Sequence, residues 1–178
     1  MAMTDALPAS SSASLSKSVN RWLRAALIAA AAWELTDALT SFGLLFADVD
    51  MTEIFGSIGG RILQATVAVG PFAALAVIIL AALNRLPWAM VAVVAVVLIT
   101  WLSAMPGFVL NRPDFDGVMT TLQTLFQIVA CPLLAVMAIA LAGRRRNLPL
   151  ATALVCLPTV VSLIGLAAFA ISVAIYGF

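Results

Sequence analysis

In a chain of 178 residues, 64% are hydrophobic and 10% charged, the formal net charge is +1 and the mean hydropathy is +1.16. Soluble domains carry roughly 25% charged residues, so this composition excludes an ordinary water-exposed globule and makes a bilayer the natural solvent. No basic stripe with interleaved aromatics points to nucleic acid, and the absence of histidine excludes bis-His haem, His-ligated zinc or copper, and a histidine proton shuttle.

Residues 1–20, MAMTDALPASSSASLSKSVN, form a Ser/Ala-rich leader with little to bury. A mobile cytoplasmic segment is expected there, with residues 21–178 forming one transmembrane domain. Five apolar stretches follow, at about 25–46, 62–83, 87–110, 118–142 and 148–176. Each meets the ~20 residues needed to cross a ~30 Å hydrocarbon core. The expected fold class is therefore all-α, a bundle of five transmembrane helices. Short polar connections hold Asp48, Asp50 and Glu53 in the first, Asn84-Arg85 in the second, Asn111 to Gly117 in the third and Gly143 to Asn147 in the fourth.

Basic residues set the orientation. With the N terminus inside, the cytoplasmic segments hold Lys17, Arg21, Arg24, Arg85, Arg144, Arg145 and Arg146, against Arg61 and Arg112 outside. Seven against two predicts N-in/C-out by the positive-inside rule. Trp22, Trp88 and Tyr176 fall near predicted helix ends, where interfacial aromatics belong, whereas Trp33 and Trp101 lie deeper.

The first stretch contains the two charges that matter most, Glu34 and Asp37. Its eight Leu, Ile and Phe residues favour insertion by about 2.4 to 4.8 kcal/mol, and each acid opposes it by about 2.5 to 3.5 kcal/mol. The balance is near zero or unfavourable, so the acids need partners or water. Glu34, Asp37 and Ser41 follow an i, i+3, i+7 spacing that puts them on one helix face. No basic residue falls within the other four stretches. The expected partners are therefore polar: Gln64 and Thr66 on the second helix, and Gln123, Thr124 and Gln127 on the fourth. The candidate cluster is Glu34, Asp37, Ser41, Gln64, Gln123 and Gln127.

Two readings of that cluster stand. A neutral acid bonded to a Gln amide is interhelical glue, worth ~0.6 kcal/mol; a titrating acid in a wet cavity binds a cation or relays a proton. A third possibility removes the question: cleavage of a signal peptide before Trp33 would leave both acids at the outer surface. The long polar start, the weakly apolar Ala run and the apolar continuation through Phe46 favour an uncleaved helix.

Cys131 and Cys156 sit in apolar runs without a CxxC pairing, as small packing residues do. Pro71, Pro106, Pro132 and Pro158 fall in or near spans, where they kink helices and release carbonyls. Gly56 and Gly60 form GxxxG beside a loop, a poor place for a helix dimer. No nucleophile–base pair, phosphate-cradling loop or metal-ligand set is present. The chain is thus expected to be no enzyme and to use no cofactor or metal.

The sequence favours a non-catalytic membrane subunit or helix-packing partner. The alternative is a proton- or cation-coupled transporter or channel component working through Glu34 and Asp37. Its expected surroundings are the lipid bilayer, another membrane protein or a second copy. The expected location is a multi-pass position in the plasma (inner) membrane if the cell is bacterial.

Overall fold

The computed structural model describes residues 10–47, 50–111, 117–143 and 147–177. These form helices α1 (Ser10–Phe42), α2 (Met51–Ala82), α3 (Leu86–Asn111), α4 (Val118–Leu125), α5 (Cys131–Gly143) and α6 (Leu148–Tyr176). A 3₁₀ turn, Gly43–Phe46, follows α1, and a π-helical turn, Phe126–Ala130, joins α4 to α5. No strand occurs among the described residues. Residues 1–9, Asp48, Arg112 and Arg144–Arg146 of the sequence argument lie outside the described residues.

Four helical segments are long and apolar enough to cross a membrane: Met51–Ala82, Leu86–Leu110, Thr120–Ala142 and Leu148–Ile175. The chain is built as a multi-pass membrane protein. Helix α1 has sufficient length at 33 residues but is not among the four, because Glu34 and Asp37 dilute its apolar half. It also starts at Ser10, so the second half of the leader expected to be mobile is helical. Extending an existing helix costs far less than nucleating one, and α1 is nucleated by its packed segment. Leu27 and Ala31, both ahead of Trp33, belong to the core.

The helices close a ring in the order α1, α2, α3, α5, α6, with α3 also touching α6 and α1 across the middle. The core gathers towards one end. Leu27 and Ala31 of α1 meet Ala74, Val77 and Ala81 of α2, Ala89, Met90, Val93, Val94, Val96 and Val97 of α3, Ala135, Ala138 and Ala142 of α5, and Ala151 and Val155 of α6. Small Ala and Val side chains let backbones approach closely, which is how helices associate without a hydrophobic driving force. At this end the α2–α3 turn is a Schellman closure. Asn84 takes the left-handed conformation (φ 60), its N–H donates to the Ala81 carbonyl, and Arg85 N–H reaches Leu80. Arg24 of α1 donates to the Ala82 carbonyl at 2.9 Å, placing a cation on the negative end of α2.

The opposite end is more open, and glycine shapes it. Gly56, at φ 73, interrupts α2 and reverses the chain, a conformation that L side chains rarely adopt. The reversal lays Met51 and Thr52 against Gly60, where an added Cβ would fall 2.6 Å from their backbone atoms. The GxxxG pair therefore makes a contact within the chain. The membrane-spanning helix accordingly starts earlier than the apolar pattern at 62 suggests.

The fourth stretch departs from its partners at the π turn. Pro132 lacks the N–H that would bond the Ile128 carbonyl, and the Trp101 indole N–H supplies a donor there at 3.3 Å. This contact ties the turn to α3, while α4 packs mainly on its own continuation.

Candidate functional site

Glu34 occupies the boundary between the packed and open ends, and both its carboxylate oxygens are engaged. Thr159 of α6 donates to Oε1 at 2.8 Å, and Thr100 of α3 donates to Oε2 at 3.4 Å. Thr159 is buried and Thr100 lies just past the middle of α3. One side chain therefore links three helices.

Asp37 lies one helical turn further along α1 and is exposed. Its carboxylate has no hydrogen-bond partner among the described residues, although its main-chain carbonyl accepts from Thr40. Both acids open onto a cavity of about 120 Å³, room for several waters by the usual measure of ~10–15 Å³ each. Glu34, Asp37, Ala38 and Ser41 line it from α1. Leu63, Thr66, Val67 and Gly70 line it from α2, and Val96, Ile99, Thr100 and Ser103 from α3. Gly70 contributes by being small: an added Cβ there would meet Ala38 at 3.5 Å.

Most of the hydroxyls in this wall already have uses for their protons, Ser41 being the exception among the described residues. Thr66 donates to the Ile62 and Leu63 carbonyls, and Ser103 to the Thr100 carbonyl. Their oxygens still have lone pairs. The polar groups that this mostly apolar lining presents are carboxylate and hydroxyl oxygens, which suit hard cations or protonated water rather than soft metals. No group of three or more His, Cys, Asp or Glu comes together among the described residues. A hydroxyl can also reverse its role: with Glu34 protonated, Thr159 can accept the carboxyl proton it otherwise faces as a donor. The contact survives either protonation state.

The chain matches no family model, curated protein or solved structure.

The amides expected as partners lie elsewhere. Gln64 is exposed and lines a second, larger cavity with Arg61. Gln123 and Gln127 are exposed and line neither cavity. The geometry thus brings together Glu34, Asp37 and Ser41 with Thr66, and leaves the three glutamines apart from them. The π turn gives the physical reason. It aligns the fourth stretch with α3 through Trp101, so α6 rather than α4 delivers a polar group to Glu34. The sequence signal for the actual partners is slight, a single threonine at mid-depth in each of two apolar runs.

Cys131 and Cys156 are both free and half-buried. Trp22 and Trp88 project from the bundle, 77% and 64% exposed. Both lie at the end marked by Arg24 and Arg85, while Trp33 and Trp101 are half-buried. The side chain of Tyr176 is outside the described set.

Proposed function

We propose that this chain is a small membrane protein that handles a proton or a monovalent cation at Glu34 and Asp37. In this reading α1 is a fifth spanning helix, with the N terminus on the cytoplasmic side and the C terminus opposite. One observation carries the reading: a hydroxyl-braced carboxylate and an unbonded carboxylate face the same cavity, whose other walls are mostly apolar. A carboxylate serving only as interhelical glue needs no second acid and no open space beside it. The cavity supports ion handling over the subunit role that the sequence alone favours, and two acids without a third among the described residues favour a proton or monovalent ion over a divalent one.

The test is flux in proteoliposomes under imposed pH, sodium or potassium gradients. Glu34→Gln and Asp37→Asn should each abolish a flux present in the parent protein while its helical circular dichroism is retained. Absence of flux in the parent under all three gradients would overturn the proposal.

A second reading, as a subunit of a larger membrane assembly, draws on α6. From Val160 to Ser172 every residue of that helix is exposed. A neighbouring helix from another chain would cover this surface as lipid does. Recovery of a stoichiometric partner after extraction in mild detergent would favour this reading.

A further inference from the structure

We propose that the cavity around Arg61 holds the phosphodiester headgroup of an anionic membrane lipid. This cavity is separate from the acidic one, although Leu44, Leu63 and Val67 contribute to both. Its volume is about 550 Å³, within the range of sites that hold small ligands. Two polar side chains enter it, Arg61 and Gln64. They lie three residues apart on α2 and so share a face.

The chemistry selects the occupant in three steps. First, Arg61 has no carboxylate partner among the described residues. Glu34 and Asp37 line the adjoining cavity, and Asp50 and Glu53 do not line this one. The exposed guanidinium, set beside Leu44, Leu45, Met51 and Val67, is thus open to an anion from outside the described residues. Second, one guanidinium balances one negative charge. That matches a phosphodiester, and its planar fork engages two phosphate oxygens at once. A multiply charged soluble phosphate would leave charge unmatched in this cavity. Third, Arg61 lies in the first turns of α2 after the Gly56 reversal, ahead of the 62–83 apolar run, where a long arginine side chain reaches the headgroups by snorkelling. Leucine and valine walls suit the glycerol and upper acyl segments. The Gly56 reversal builds the remaining wall by pressing Met51 against Gly60, next to Arg61.

The full-length protein in a neutral detergent tests this by titration with phosphatidylglycerol and with phosphatidylcholine. Retained lipid is counted by native mass spectrometry, and the thermal transition is followed in parallel. Phosphatidylglycerol should bind about tenfold or more tightly than phosphatidylcholine, the scale of one charge-assisted contact. Arg61→Gln should abolish that preference at unchanged helical circular dichroism, and Arg61→Lys should keep part of it. Ala65→Phe, which fills the cavity while sparing the charge, should weaken binding as well and serves as the test if Arg61→Gln fails to fold. A preference unchanged in Arg61→Gln or Ala65→Phe would overturn the proposal. So would glycerol 3-phosphate competing as well as the intact lipid, since a tail-less anion would then be the natural occupant. Neither result depends on flux through the acidic cavity.

Discussion

Glu34 illustrates how a costly residue is retained in a helical bundle. Hydrogen bonds between membrane helices average about 0.6 kcal/mol, with a maximum near 1.7, whereas bonds to charged groups in soluble proteins run about 1.5 to 3. The 2.8 Å contact from buried Thr159 belongs towards the upper part of the membrane range, and the 3.4 Å contact from Thr100 towards the lower. Thr159→Val should therefore lower stability by about 1 to 2 kcal/mol and Thr100→Val by less than about 1 kcal/mol. Thermal or denaturant unfolding in detergent measures both, and equal losses would contradict this ranking. These two threonines also mark the limit of sequence reading. Glu34, Asp37 and Ser41 stand out by charge and spacing. Thr100 and Thr159 do not, because a lone hydroxyl in an apolar run usually bonds to its own helix, as Thr66 and Thr152 do here.

Single helices show the same division. The four apolar helices are legible from run length, since a stretch of ~20 apolar residues has few alternatives. The true start of α2 is not, because it depends on the reversal at Gly56 and its contact with Gly60. The short helical segment ahead of that reversal is capped by Asp50, whose carboxylate accepts from the Thr52 hydroxyl at 2.6 Å and the Thr52 N–H at 2.8 Å. The hydroxyl first, and then the backbone N–H, hold the Asp50 carboxyl below its ordinary value of 3.8. A depressed folded value stabilises the fold fully above the ordinary value, and the contribution fades as pH falls through the folded value. Thermal transitions of the parent and Asp50→Asn should therefore differ most above pH 3.8 and converge at lower pH. A constant difference across that range would show that the cap does not titrate.

Across the whole molecule, the helical class follows from composition, whereas the arrangement of the ring does not. A bundle of apolar helices can close in several orders, and this one is decided by such local events as the Asn84 turn and the Pro132 release of Ile128. The proposed five-span orientation gives an accessibility pattern. In a background with Cys131 and Cys156 replaced by Ala, Asn84→Cys should resist a membrane-impermeant maleimide applied from outside, and Gly177→Cys should react. Ser18→Cys should also resist. Reaction of Ser18→Cys from the same side as Gly177→Cys would mean that α1 does not cross.

The bond between Glu34 and Thr159 joins residues 125 positions apart, and that separation is also an interval of time. Synthesis at about 5 to 20 residues per second places Thr159 roughly 6 to 25 s behind Glu34. During that interval the growing chain has α1 but not the hydroxyl that braces its acid most closely. The first helix, marginal by composition, is completed by the last. A chain interrupted before α6 would thus leave its earliest segment poorly anchored, a defect at the N terminus caused by a loss at the other end.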